Sequence, residues 1–209
     1  MRRVLRQATL RLLGFGVFAL AQRAGAAAAE GPLTKVRRTN DRITALLRQQ
    51  SRSKTARAKP PIDRELTRVV AQFLDFPELA RLALGRHWEA RSAVERQEFA
   101  ELLRQLIERS YLKQLRSNLN YAVRYRGEKI AGDKAEVATA IEVKRKGRTE
   151  ALLIQYKMHQ SGGGWMVYDV ITDDVSIVRN YRSQFNRIIQ RQSYGALLEK
   201  MRRKLKDAA

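Results

Sequence analysis

Residues 165–189 read WMVYDVITDDVSIVRNYRSQFNRII, and two hydrophobic periods meet within them. Met166, Tyr168 and Val170 alternate, as side chains on one face of a strand do. Ile177, Val178, Tyr181, Phe185, Ile188 and Ile189 recur instead at helical spacing. Asp173 and Asp174 stand between the two patterns. The stretch therefore predicts a strand that ends in a turn and hands over to a helix starting near Val175, with Asp174 as its cap. Neighbouring carboxylates on a strand point to opposite faces, so this pair is not read as an acid–base couple sharing a proton.

Working outward, the two-residue period persists upstream. Tyr121, Val123 and Tyr125 alternate, as do Val137, Thr139, Ile141 and Val143, and again Leu152, Ile154, Tyr156 and Met158. Lys146-Gly147 and Ser161-Gly162-Gly163-Gly164 read as hairpin turns between them. Ahead of the strands, Ser92 and Glu95 form a capping box in front of Phe99, Leu102, Leu103, Leu106, Ile107, Tyr111 and Leu115, a long amphipathic helix. Asp75, Pro77 and Gly85 are the cap, first-turn residue and stop of a shorter one. Helical stripes also run through residues 32–50 (Val36, Ile43, Leu46, Leu47), 62–74 (Leu66, Val69, Val70, Phe73) and the C-terminal run Leu197, Leu198, Met201 and Leu205. From Arg48 to Lys59 there are five basic residues and no acid before Pro60-Pro61, so residues 48–61 are expected to be a basic loop within the domain. The predicted architecture is α+β: an antiparallel meander of about four strands, packed with N- and C-terminal helices.

The N-terminus reads as an address. Arg2, Arg3, Arg6 and Arg11 precede the apolar run Leu12–Ala21, and Ala24-Gly25-Ala26-Ala27-Ala28-Ala29 follows. That is the order of a Sec-type signal peptide, residues 1–28, cleaved near Ala26 or Ala28 to leave a domain of residues 29–209 in the periplasm. Ten apolar residues span about 15 Å as a helix, half of a bilayer core, so a permanent anchor is not expected. The 209-residue chain carries 42 Lys+Arg against 21 Asp+Glu, a formal charge of +21. Cleavage would remove five basic residues and no acid, leaving +16.

With no Cys and only two His, the chain can form no disulfide, cysteine-bound zinc or thiol nucleophile, and a multi-histidine metal site is not expected. No nucleophile elbow, zinc-protease helix or phosphate-binding loop occurs, and Gly162–Gly164 leads into a strand rather than a helix. His87 follows a helix end and reads as a packing or capping residue. His159 faces away from Met158 across its strand. No catalytic residue, metal ligand or cofactor is assigned, and an enzyme is not expected. The charge leaves nucleic acid or anionic membrane surfaces as partners. Tyr181 and Phe185, the aromatics among Arg179, Arg182, Arg187 and Arg191, share the apolar face with Ile177 and Ile189, which favours packing over base stacking.

Two stretches carry a resemblance. The first holds Phe73-Leu74-Asp75-Phe76, Leu79-Ala80 and Ala83-Leu84-Gly85-Arg86-His87-Trp88, with Gln97, Phe99 and Tyr111 beyond. The second holds Trp165-Met166-Val167-Tyr168-Asp169-Val170, Val175-Ser176-Ile177-Val178 and Asn180-Tyr181-Arg182-Ser183-Gln184-Phe185. In order and spacing these resemble the MlaC, or toluene-tolerance, family over roughly Ile62–Lys204. One position departs from it: Asp174 stands where the family usually has Gly before the Val-Ser pair.

The resemblance implies a soluble carrier that holds phospholipid acyl chains in an apolar cavity between sheet and helices, with the lipid as cargo rather than cofactor. It implies as partners an inner-membrane ABC transporter complex with its lipid-binding hexamer, an outer-membrane lipoprotein–porin complex, and anionic membrane surfaces. The role implied is maintenance of outer-membrane lipid asymmetry. Candidate wall residues are Val137, Ile141, Ile154, Tyr156, Tyr168 and Val170 from the strands, and Phe76, Leu103, Ile107, Tyr111, Ile177, Tyr181 and Phe185 from the helices. Val175, which matches the Val of the family's Val-Ser pair, is expected beside the cavity. Periodicity reports burial and not emptiness, so ordinary core explains each wall position equally well. A carrier for another membrane lipid, such as a hopanoid, fits the same pattern; nucleic-acid binding rests on charge alone.

Overall fold

The computed structural model describes residues 30–52, 59–117, 121–145 and 148–207. The expected signal peptide and the expected Lys146-Gly147 turn lie outside them. The elements run α1 (Pro32–Arg52), α2 (Lys59–Ala71), α3 (Phe76–Leu84), α4 (Ala93–Ser117), β1 (Tyr121–Ala131), β2 (Lys134–Arg145), β3 (Arg148–Ser161), β4 (Gly164–Thr172), β5 (Val175–Ser176), α5 (Ile177–Arg191) and α6 (Tyr194–Asp207). The strands form one antiparallel sheet in sequence order, the α+β meander the hydrophobic pattern predicts.

Local chemistry sets the helix ends. At α3, the Asp75 carboxylate accepts from the Glu78 N–H at 3.0 Å, and Gly85 ends the helix at φ 57°. At α4 the box is reciprocal: Glu95 N–H donates to Ser92 Oγ at 3.2 Å, and Ser92 N–H to Glu95 Oε2 at 2.8 Å. The basic segment departs from the expected loop. Helix α1 continues through Arg48 to Arg52, and α2 begins at Lys59, so only residues 53–58 lie between them, outside the described set. Pro60 and Pro61 fall in the first turn of α2, where a missing N–H breaks no intrahelical bond.

Among the described residues the sheet has five strands rather than four. Thr172 pairs with Val175 and Ile171 with Ser176 across the two-residue turn Asp173-Asp174, whose φ angles are 44° and 63°. Both turn residues take positive φ, the geometry that matches the right-handed twist of a tight hairpin. Consequently Asp174 is not the cap of α5. Ser176 is, its Oγ accepting from Arg179 N–H at 3.0 Å. The family's usual glycine would hold the 174 position without the left-handed penalty of a side chain. Asp174→Gly is therefore expected to stabilise the fold by about 1 kcal/mol, read as a higher urea midpoint. The Arg179 contact to the Asp174 carbonyl, 3.1 Å, uses the backbone and survives that change.

The outer edge of β4 is paired at two places. Strand β5 pairs with one end, and Leu74 forms a parallel bridge to Val167 nearer the other. There Asp75 N–H donates to the Val167 carbonyl and Val167 N–H to that of Phe73, both at 2.8 Å. Helices α3, α4, α5 and α6 pack with this end of the sheet around one apolar cluster that includes Phe76, Leu79, Phe99, Leu103, Met158, Val167, Phe185 and Leu197. A satellite cluster of Ile43, Leu46, Leu47, Ile62 and Leu66 holds α1 against α2. Arg109 donates to the Leu205 carbonyl and Tyr194 Oη to the Glu95 carbonyl, fastening α6 onto α4.

Candidate functional site

Strand register sorts the candidate wall residues into rows across the helix-facing side of the sheet. Paired residues share a face, so each row reads directly from the ladder. Ala135, Met158 and Val167 form the first row, all buried. Val137, Tyr156 and Val170 form the second, Val170 being half-buried. In the third, Tyr125, Thr139, Ile154, Thr172 and Val175 run across all five strands. The fourth is Val123, Ile141 and Leu152, all half-buried. The face thus stays largely apolar, with Thr139 and Thr172 among its third row, while its cover thins. Within the third row Thr139 is buried, Ile154 half-buried, and Val175, at the sheet edge, is 59% exposed.

Opposite this face stand the helix residues. Phe76, Leu103, Ile107 and Phe185 are buried in the main cluster, and Ile154, Val170 and Tyr181 pack against it. Three aromatic contacts order the interior. Tyr181 stacks on Phe185 with centroids 5.2 Å apart, Phe185 meets Phe99 edge-on at 5.5 Å, and Tyr156 meets Phe73 edge-on at 5.7 Å. Burial pushes the Tyr181 phenol above its ordinary pKa, so it stays neutral at any physiological pH. Ile177 is half-buried at the start of α5, and the side chain of Tyr111 lies outside the described set. Glu108, one position beyond Ile107, is a buried acid. Burial pushes its carboxyl up, against the pull of the Arg104 guanidinium at 2.7 Å.

Tyr168 does not belong to this face. Met158 pairs with Val167 but Lys157 with Asp169, so β4 carries one extra residue at that point. The bulge breaks the alternation that put Met166, Tyr168 and Val170 together. Trp165 and Val167 turn inward instead, and both are buried. Tyr168 stands edge-on to His159, centroids 5.3 Å apart, and His159 Nε2 lies 2.8 Å from Asp75 Oδ2. His87, the other imidazole, sits 2.9 Å from Asn186 Oδ1. Both histidines therefore have structural partners.

Periodicity alone assigns no role to Asp169. It is only 6% exposed, yet both oxygens are used: Ser176 Oγ donates to Oδ2 at 2.6 Å and Val178 N–H to Oδ1 at 3.1 Å. Because Ser176 Oγ also caps α5, Asp169 clamps the helix start to the body of β4. A signal was present, namely an acid inside an otherwise apolar strand with a Ser just before the next helical run. The bulge that turns Asp169 toward that Ser was not.

Three comparisons bear on this arrangement. The family model described as MlaC protein matches residues 37–203. Over 120 residues the chain is 25% identical to the intermembrane phospholipid transport system binding protein MlaC of Haemophilus influenzae, a match covering 56% of each chain. The chain thus spans little more than half the length of that relative. A phospholipid-binding protein from Ralstonia solanacearum, solved in complex with a phospholipid, superposes with a TM-score of 0.69 over 87% of this chain and 99% of its own, at 21% identity. That last likeness is one of fold.

Proposed function

The chain belongs to the MlaC protein family, and from that premise we propose that it is a periplasmic phospholipid carrier. It holds acyl chains against the helix-facing side of the sheet and passes lipid between an outer-membrane and an inner-membrane transport complex, which maintains the asymmetry of the outer membrane. The observation that carries this reading is the apolar face itself, which continues past its helical cover to Ile141, Leu152 and the rim at Val175. A contiguous apolar surface at the margin of a core is where a hydrophobic ligand can bind. The names of the Haemophilus and Ralstonia proteins support the choice of a phospholipid as cargo.

The energetics set what such a face must do. Each acyl methylene is worth about 0.8 kcal/mol against water, so two long chains amount to roughly 20 kcal/mol or more. A carrier that extracts lipid must offer a surface nearly as apolar as the bilayer, and a head group left in water needs no dedicated pocket for extraction to balance. No bond is made or broken in this cycle, so the reading assigns no catalytic group. Among the described residues, no helix is long and apolar enough to cross a membrane.

The test is organic extraction and mass spectrometry of the protein purified from the periplasm. Phospholipid at a fixed ratio to protein is the expected result. Recovery of a hopanoid or other lipid instead would change the cargo, and recovery of no lipid would overturn the carrier reading.

A further inference from the structure

Helix α5 carries four arginines and no acid between Ile177 and Arg191. Arg179, Arg182, Ser183 and Asn186 fall at i, i+3, i+4 and i+7, so they form one stripe of that helix. This stripe meets the 3-10 turn Gly85–His87 at the end of α3, and the two wall an open cleft of about 460 Å³ to which Arg86 and His87 also contribute. The arginines are positioned by neutral oxygens. Arg179 donates to the Asp174 carbonyl at 3.1 Å, Arg182 Nε to the Leu82 carbonyl at 2.8 Å, and Arg86 to Asn186 Oδ1 at 2.7 Å.

Among the described residues no carboxylate lines the cleft and none of these three arginines forms an ion pair. Elsewhere Arg81, Arg96, Arg104 and Arg202 are each bonded to a glutamate. The backbone is shaped around the cluster as well. Gly85 sits at φ 57°, and a Cβ there would meet the Arg182 side chain at 3.3 Å, so glycine both makes the turn and lets the arginine lie across it. Guanidiniums gathered without counter-charge repel one another, and what relieves that repulsion is an anion. A tetrahedral oxyanion suits these donors, because the guanidinium fork matches its oxygens in pairs and the Ser183 hydroxyl can add a donor.

We propose that the cleft between α5 and the Gly85–His87 turn binds a phosphate-class oxyanion through Arg86, Arg179 and Arg182. Inorganic phosphate in solution and the phosphate of a bilayer head group share this chemistry. The proposal goes beyond the carrier reading: none of the cleft's arginines lies on the helix-facing side of the sheet, so the site can fail while acyl-chain binding stands, and the reverse.

The test uses the purified full-length mature chain at fixed ionic strength, titrated in one arm with inorganic phosphate and in the other with phosphatidylglycerol vesicles. Four proteins are compared: the wild type, Ser183→Asp, the double variant Arg86→Gln/Arg179→Gln, and a charge-matched control, Lys200→Gln/Arg203→Gln on α6. Ser183 is exposed, so its carboxylate variant keeps the fold while placing a negative charge in the cleft. Saturable binding by wild type and control is expected, weakened about tenfold or more in both cleft variants, as loss of a charge-assisted contact predicts. Saturation in the phosphate arm identifies the soluble anion as a ligand, and saturation with vesicles alone identifies the head group. Absence of saturable binding in both arms, or equal weakening by the control, would overturn the proposal.

Discussion

Val175→Glu should strip the protein of its lipid. On the carrier reading, Val175 ends the third row of the apolar face at the sheet edge, where chain entering the site would pass. A carboxylate held against hydrocarbon costs several kcal/mol, so lipid recovered per protein is expected to fall by about tenfold or more. The fold should be untouched, since the valine is 59% exposed and its strand is only two residues long. Val94, on the first turn of α4 and more exposed still, provides the control. Val94→Glu adds the same charge to the same residue type away from the sheet, and should leave the lipid content unchanged. Extraction and phosphorus assay of the three purified proteins decide the matter. A normal lipid content in Val175→Glu would mean that Val175 does not line the site.

The second large effect concerns stability. Asp169→Ala removes both acceptors at the start of α5, leaving the Ser176 O–H and the Val178 N–H without acceptors in a buried setting. Hydrogen bonds to an ionised group contribute about 1.5–3 kcal/mol each, and stranded donors add their own desolvation cost. A loss of about 3–5 kcal/mol is expected, measured as a lower urea midpoint with an unchanged slope. If the midpoint shift multiplied by the slope amounts to less than about 1 kcal/mol, the clamp is not what holds α5 to the sheet.

These two residues also mark how far the sequence could be read. Features written in a few adjacent residues were legible: the Ser92–Glu95 box, the Asp75 cap, and the alternation through Thr139–Ile141 and Ile154–Met158 all lie where their patterns put them. The departures share another cause. The bulge at Tyr168 lies beside the Leu74–Val167 bridge, a pairing of residues 93 positions apart that leaves no periodic trace. Likewise Val175 reads as the start of a helix because its strand is too short to alternate, whereas the β4–β5 pairing and the positive φ of both aspartates make it part of a hairpin. Of the wall residues with described side chains, Phe76, Leu103, Ile107, Val137, Tyr156 and Phe185 share one apolar cluster, with Ile154, Val170 and Tyr181 packed against it. Tyr168 is turned away by a register shift that no local rule announces.

The two short pairings along the outer edge of β4 acquire a different significance beside the apolar rim at Val175. A free strand edge is a template on which another copy can add a strand, and hydrophobic surface next to it would hold the copies together. Here β5 and the Leu74 bridge occupy that edge. At the far side of the sheet, β1 is broken by a register shift at Gly127 and carries Arg124, Arg126 and Lys129. The chain can therefore present a greasy rim to a lipid without also offering a backbone ladder to its own kind, so stickiness for cargo is separated from the route to aggregation.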